Sequence, residues 1–272
     1  MITKEIPYFD IFQICNSGQC FRMNQIGEDT CRVIAGEYNL KIKQEGAAYI
    51  FFCTEDEFES FWKDYFDLGT DYGAYRDKIN PKDSYLCQAA EFGKGIRILK
   101  QDLWEMIVSF LISQQNNIPR IRRCIQNICQ QYGKALKTEE GDTFYTFPQP
   151  EILAALGEDD LKPCNLGYRS KYVVRTARMI SNGEVSLEEI EKMSYKKAKE
   201  ELLKLFGVGE KVADCICLFS LHHLEAFPMD THMIQALEQH YKRGFPKRRY
   251  QGVQGVMQQY IFYWELFGRK NG

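Results

Sequence analysis

Between residues 38 and 43 the chain alternates. Tyr38, Leu40 and Ile42 are apolar or aromatic, and Asn39, Lys41 and Lys43 between them are polar. A period of two puts the first set on one face of an extended chain, so a half-buried strand is expected. A turn at Glu45-Gly46 and a second apolar run over 49–53 predict an antiparallel hairpin. Thr54 followed by Glu57 reads as a capping box, in which each side chain satisfies the other residue's free backbone N–H. The helix it opens carries Phe58, Phe61, Trp62, Tyr65 and Phe66 at i, i+3, i+4 spacing.

Beyond about residue 95 the period becomes helical almost throughout. Trp104, Ile107, Val108 and Leu111 form one apolar stripe; Ile121, Ile125 and Ile128 form another that ends near Gly133. A helix over about 169–180 stops at Asn182-Gly183, and Ser186 with Glu189 makes a second capping box. Leu202, Leu203 and Leu205 lead into Phe206-Gly207-Val208-Gly209, followed by a helix over about 211–221. Pro228 breaks the chain, Asp230 can cap the next helix, and a last helix is expected over 255–266. The expectation is an α+β protein. An N-terminal antiparallel sheet with helices fills 1–95, and a helical domain fills 96–272 with a helix-turn-helix pair at about 196–221.

Composition bounds this picture without changing it. The 272 residues are 44% hydrophobic and 14% aromatic, enough for one large core or two modest ones. No apolar run approaches the roughly 20 residues that span a bilayer, and the N-terminus lacks a basic region followed by an apolar stretch. A soluble, intracellular protein is expected, cytoplasmic, and associated with the nucleoid if the cell is bacterial. None of the ten cysteines forms a C-x-x-C pair, and several sit in apolar segments, which predicts buried free thiols. The net charge of −2 does not advertise nucleic-acid binding. Its distribution is more informative. Residues 1–100 hold 12 basic and 16 acidic side chains, and the remainder 23 and 21. The basic residues there cluster at 120–123, 169–178 and 242–249. Such clusters are usually solvated faces, and only neighbouring motifs give them weight.

The segment that carries chemistry is 203–233, LKLFGVGEKVADCICLFSLHHLEAFPMDTHM. Two helices flank a G-V-G turn whose glycines permit positive φ and close approach of another backbone. Free N–H groups at the start of the second helix make an anion site suited to one DNA phosphate. A G-x-G turn alone is weak evidence, because ordinary helix corners share it. Lys211 opens the helix after the turn, and Asp230 lies 19 residues on, just past Pro228. A lysine at a helix N-terminus faces the positive end of the dipole, which favours its neutral, nucleophilic amine. An isolated first-turn lysine is ordinarily just solvated, and Asp230 is an ordinary helix cap.

The pattern G-V-G-x-K-V-A-D-C-I-C-L followed by P-x-D-x-H-M resembles the 8-oxoguanine DNA glycosylase/AP lyase family of the helix-hairpin-helix superfamily. Three further stretches, the last in two parts, resemble it in the same order. They are Ser17-Gly18-Gln19-Cys20-Phe21-Arg22, Asn116-Asn117-Ile118-Pro119-Arg120, Leu166-Gly167-Tyr168-Arg169 and Lys171-Tyr172-Val173. The likeness runs from about residue 10 to 265. It implies a TATA-binding-protein-like sheet and a two-lobed helical body with its site in the cleft. It also implies a monomer that works on double-stranded DNA containing 8-oxoguanine, with no metal or cofactor and no membrane.

Residue by residue, the resemblance makes Lys211 the nucleophile at the anomeric carbon. Asp230 stabilises the developing positive charge and assists proton transfers. Gly18 offers its carbonyl to the damaged purine. This has a physical logic: 8-oxoguanine carries a hydrogen on N7 where guanine has a lone pair, and an unpaired buried partner costs about 1–3 kcal/mol. Cys215, one turn after Lys211, lies against one face of the base, and Phe262 stacks on the other. Gln258, one turn before Phe262, bonds the polar edge, and Met257 belongs to the same substrate set. Gly207, Gly209 and His232 contact phosphates. Gln115, Asn116, Arg120, Tyr168 and Arg169 face DNA, with Arg120 and Arg169 on the orphaned partner base. The chain departs from the pattern at Gln115, where the family has the first asparagine of S-N-N-N-I-x-R.

Two other readings stay open on the residues alone. A non-enzymatic helix-hairpin-helix DNA-binding module would need neither Lys211 nor Asp230. A glycosylase for another damaged purine, such as an alkylpurine, would use water and not need the lysine. The iron–sulfur branch of the superfamily requires four closely spaced cysteines after the aspartate, and none follows Cys217.

Overall fold

The computed structural model describes residues 1–269. The N-terminal part begins with β1 (Ile2–Glu5) and α1 (Ile11–Asn16), which Asp10 caps by accepting the amides of Phe12 and Gln13. Strands β2 (Met23–Gln25), β3 (Thr30–Ala35), β4 (Tyr38–Glu45) and β5 (Ala48–Phe51) follow. They form one five-stranded antiparallel sheet in the order β1-β5-β4-β3-β2. The expected hairpin is β4–β5, with Glu45 paired to Ala48 and Gly46 at φ +62° in the turn. Periodicity had not revealed β1, β2 or β3. β1 and β2 have only four and three residues, too few for an alternation to register. Thr54 caps the next helix as expected, its hydroxyl accepting the Glu57 amide. That helix runs through α2 (Glu55–Glu57), a π-helical stretch Phe58–Trp62 and α3 (Lys63–Tyr65). Its aromatic face joins Ile14, Leu40, Ile42 and Phe51 in a core of its own.

The larger core is helical. It takes in α4 (Tyr72–Arg76), α5 (Ser84–Phe92), α6 (Leu103–Ser113) and α7 (Ile118–Tyr132). Helices α4 and α5 precede the division expected near residue 95, yet Tyr72, Leu86, Ala89 and Ala90 pack in this larger core. A two-stranded ribbon, β6 (Ala135–Lys137) with β7 (Thr143–Tyr145), interrupts the region expected to be wholly helical. Then come α8 (Pro150–Ala154), α9 (Ser170–Ser181), α10 (Leu187–Ile190), α11 (Tyr195–Leu202) and α12 (Glu210–Phe219). The chain closes with α13 (Thr231–His240) and α14 (Gln254–Tyr263), the latter continued by a π-helical turn over Trp264–Gly268. The fold class is thus α+β, a five-stranded antiparallel sheet beside a helical body. All ten cysteines are free thiols and eight are buried.

Two buried ion pairs join the sheet side to the helical body. Arg22, just after α1, lies 3.1 Å from Glu105 of α6. Asp67, after α3, lies 3.2 Å from His222, which follows α12, and 3.4 Å from Lys100. Thr70 and Tyr72 also donate to its carboxylate. Burial pushes the Asp67 carboxyl upward, but His222, Thr70 and Lys100 outweigh it and hold the group below its ordinary value. A carboxylate depressed in the folded state contributes stability above its unfolded value of about 3.9. That contribution disappears as pH falls through the folded value. We therefore expect Asp67→Asn to cost about 1–2 kcal/mol at pH 7, since it removes the carboxylate that faces His222 while Lys100 keeps Asp64 at 2.6 Å. The gap between variant and wild-type melting temperatures should close as pH drops below about 4. Calorimetry across pH 3–7 (about one unfolded carboxyl range) tests this; a gap that persists unchanged at pH 3 would contradict it.

Candidate active site

The local fold brings Lys211 and Asp230 together. Helices α11 and α12 make the hairpin. They are pinned by Lys199, 2.7 Å from Glu210 and 2.8 Å from Asp214, and by Tyr195, whose hydroxyl donates to Asp214 at 2.6 Å. In the turn, Gly207 sits at φ +90°, and a Cβ there would lie 2.7 Å from the Tyr172 ring. Only glycine fits both constraints. Gly209 is exposed, has open space where a Cβ would be, and leaves the start of α12 without a side-chain cap. The first amides of α12 are therefore oriented outward for an anion. Asp230 caps α13, its Oδ1 accepting the Met233 amide at 2.8 Å. His232 is exposed on the first turn of that helix.

Lys211, Asp230, Gly18, Cys215, Gln258 and Phe262 all line one narrow pocket, with about 40 Å³ open to a water-sized sphere. The ring edge of Phe262 lies 3.1 Å from where a Cβ on Gly18 would sit, and Gly18 has φ +77°. The pocket mouth is therefore narrow between Gly18 and Phe262. Lys211 is partly buried, with its Nζ 5.5 Å from the centroid of the Phe110 ring. Burial pushes the Cys215 thiol up to about 11, with Lys211 beside it pulling the other way. The thiol thus stays neutral and presents a soft, polarisable wall.

Met257 is not part of this pocket. It is fully buried in the helical core, because successive helix residues point about 100° apart and Gln258 takes the pocket-facing position. Four wall residues escaped the sequence reading: Phe110, Phe219, Pro228 and Gln259. Phe219 was within reach, since it stands one turn beyond Cys215 and two beyond Lys211 on the same face of α12. It stacks on Phe110 at 5.7 Å. For Gln259 the available signal was an amide directly beside Gln258 in a mostly apolar helix.

The other predicted residues lie just before or within the first turns of α7 and α9, Arg120 inside α7 and Tyr168 and Arg169 in a 3-10 turn ahead of α9. Gln115 is exposed, with φ +47°. Asn116 turns back to the Ile112 carbonyl at 3.1 Å. Arg120 is exposed and reaches the Asn165 carbonyl at 3.5 Å. Tyr168 is exposed and donates to the Gln114 carbonyl at 3.4 Å. Arg169 departs from the expectation that it contacts a partner base. It is buried, and its guanidinium donates to the carbonyls of Leu166, Gln114 and Gln115 at 2.6–3.2 Å. In this structure it holds the 114–115 loop and does not project from it. The basic clusters also turn partly inward: Arg122 donates to the Cys15 carbonyl, and Arg178 to those of Ala154 and Leu156.

Residues 108–250 match the HhH-GPD superfamily of base excision DNA repair proteins, and the chain belongs to that superfamily. Residues 1–107 match the 8-oxoguanine DNA glycosylase N-terminal domain, which places it within the 8-oxoguanine DNA glycosylase family. The N-glycosylase/DNA lyase of Saccharomyces cerevisiae is 36% identical over 160 residues, 55% of this chain and 43% of the yeast protein. This chain therefore aligns with less than half the length of that relative. A probable N-glycosylase/DNA lyase of Methanothermobacter thermautotrophicus is 32% identical over 66% of this chain and 67% of its own. Among solved structures, the Clostridium acetobutylicum 8-oxoguanine glycosylase/lyase is 36% identical. It was solved in complex with double-stranded DNA containing cytosine opposite 8-oxoguanine. It superimposes with a TM-score of 0.89, covering 97% of this chain and 93% of that one.

Proposed function

We propose that this protein excises 8-oxoguanine from duplex DNA and then nicks the strand at the resulting site. The observation that carries this reading is the meeting of an amine, a carboxylate and an aromatic wall in one pocket. Lys211 and Asp230 line the same cavity as Gly18, Cys215, Gln258 and Phe262. The amine nitrogen of Lys211 bonds to the anomeric carbon, and the bond from that carbon to N9 of the purine breaks, its electron pair leaving with the base. Asp230 stabilises the positive charge that builds on the sugar. Ring opening gives an imine. Loss of a proton from the adjacent sugar carbon then expels the 3′ phosphate by β-elimination. Flipping the nucleotide out of the stack costs a few kcal/mol, which contacts with the pocket offset.

The uncapped start of α12 would hold one backbone phosphate, and His232 another. Gln115 and Arg120, both exposed, would face the gap left by the flipped nucleotide. Such work needs no cofactor and suits a monomer in the cytoplasm, on the nucleoid if the cell is bacterial. No described helix is long and apolar enough to cross a membrane.

Single-turnover excision from duplexes carrying 8-oxoguanine or an alkylpurine tests the reading. Rapid loss of 8-oxoguanine with strand nicking is expected, and excision of the alkylpurine alone would overturn it. Duplex binding without any excision would favour a non-enzymatic module. Changing the base opposite 8-oxoguanine tests Gln115. Glutamine keeps the amide of asparagine but adds a methylene and a rotor, so it need not present the same donor and acceptor to cytosine. One good bidentate pair discriminates by about 1–3 kcal/mol. Losing part of one predicts a preference for cytosine below about a hundredfold. A drop of several hundredfold for every other partner (well above one bidentate pair) would show that Gln115 replaces the asparagine fully.

A further inference from the structure

Two adjacent glutamines, Gln258 and Gln259, lie in the pocket wall, and both are buried, 3% and 2% exposed. Their hydrogen bonds run in one direction only. The Pro228 carbonyl can only accept, so Gln258 turns its Nε2 toward it, at 3.2 Å. This leaves the Oε1 of Gln258 facing its neighbour, and Gln259 donates to it from Nε2 at 3.1 Å. The Oε1 of Gln259 then remains, buried and with no hydrogen-bond partner among the described residues. A buried amide oxygen left unpaired is costly, and one that lines a ligand pocket calls for a donor from the ligand.

Building on the glycosylase reading, we propose that Gln259 is a second base-reading residue. Its Oε1 accepts a hydrogen bond from the exocyclic amine of the flipped purine, while its Nε2 fixes the amide of Gln258. The order of groups along the base edge supports the assignment. With N7–H on the Gly18 carbonyl, the next group is O6, an acceptor matched by the second N–H of Gln258. N1–H follows, matched by the remaining lone pair on the Gln258 Oε1. The amine on C2 comes next, where Gln259 stands next to Gln258. The pair therefore selects guanine-type over adenine-type or hypoxanthine-type lesions, a distinction that Gly18 cannot make because all 8-oxopurines carry N7–H.

The test compares wild-type single-turnover excision of 8-oxoguanine with that of 8-oxohypoxanthine, which lacks only the amine, each opposite cytosine. Loss of one hydrogen bond in a buried site predicts excision slower by roughly tenfold. Removing the amine also weakens pairing with cytosine. That eases flipping and acts in the opposite direction, so a slowdown cannot come from the duplex. Gln259→Met, close in volume, should slow 8-oxoguanine excision by about the same factor and bring the ratio between the two lesions near one. Equal wild-type rates on the two lesions would overturn the proposal, as would a Gln259→Met variant that keeps the wild-type ratio. The wild-type comparison decides even if the variant fails to fold. Failure to excise 8-oxoguanine at all would instead remove the glycosylase reading on which the proposal rests.

Discussion

Lys211→Gln is expected to lower 8-oxoguanine excision by at least about a thousandfold while duplex affinity changes little. The side chain starts at the second residue of α12 and ends in the pocket, where its Nζ lies over the Phe110 ring. Glutamine is nearly as good a helix former as lysine and shorter by one atom, so α12 and its packing on α6 should survive. What disappears is the only amine among the pocket-lining side chains of this structure. The features proposed to hold DNA, the backbone amides around Gly209 and the exposed Arg120, do not depend on it. Excision rates and gel-shift affinities measured on the same duplex separate the two effects. A variant that retains a tenth of wild-type excision (about 1.4 kcal/mol of barrier) would mean that another group performs the attack.

Asp230→Asn is the second large effect, expected at about a hundredfold or more on excision with the melting temperature unchanged. The two roles of Asp230 are separable because they use different properties of the carboxylate. As helix cap it needs only an oxygen for the Met233 amide, and asparagine caps as well as aspartate. As a stabiliser of positive charge on the sugar it needs the full negative charge, which asparagine lacks. Asp230→Ala should lose both functions and also cost about 1 kcal/mol of stability. Should Asp230→Asn excise at the wild-type rate, the residue would be a cap alone.

The residues that made the site legible in the sequence carry their geometry locally. A G-V-G turn, a lysine two residues on and a Pro-x-Asp before the next helix fix a backbone path within one short segment. Lys211, Cys215 and Asp230 could therefore be placed from spacing and resemblance together. Gly18 came from resemblance alone, and its physical reason emerged only with the fold, from φ +77° and the Phe262 ring above it. Arg169 shows the opposite case. The sequence offers an arginine in a DNA-facing motif, but whether its guanidinium points outward depends on carbonyls 54 and 55 residues away. Met257 differs from expectation for a simpler reason: helix phase decides which residues of α14 face the pocket, and about 100° separates Met257 from Gln258. The N-terminal sheet was half legible. β4 alternates over eight residues and the Glu45-Gly46 turn leads from it to β5, whereas β1 and β2 are short and become strands only by pairing with β5 and β3. The pattern shows Gln259 as an amide in a mostly apolar helix, but not its unpaired oxygen, which is a consequence of a carbonyl on another segment.

The covalent step is the centre of the account, and borohydride reduction tests it most directly. An imine between Lys211 and the opened sugar is reducible to a stable amine, whereas a water-derived intermediate leaves nothing to trap. Wild-type protein incubated with an 8-oxoguanine duplex and sodium borohydride should give a protein–DNA adduct that survives denaturing electrophoresis, with the cross-linked peptide containing Lys211. Excision of 8-oxoguanine with no trapped adduct, or an adduct mapped to a different residue, would contradict it.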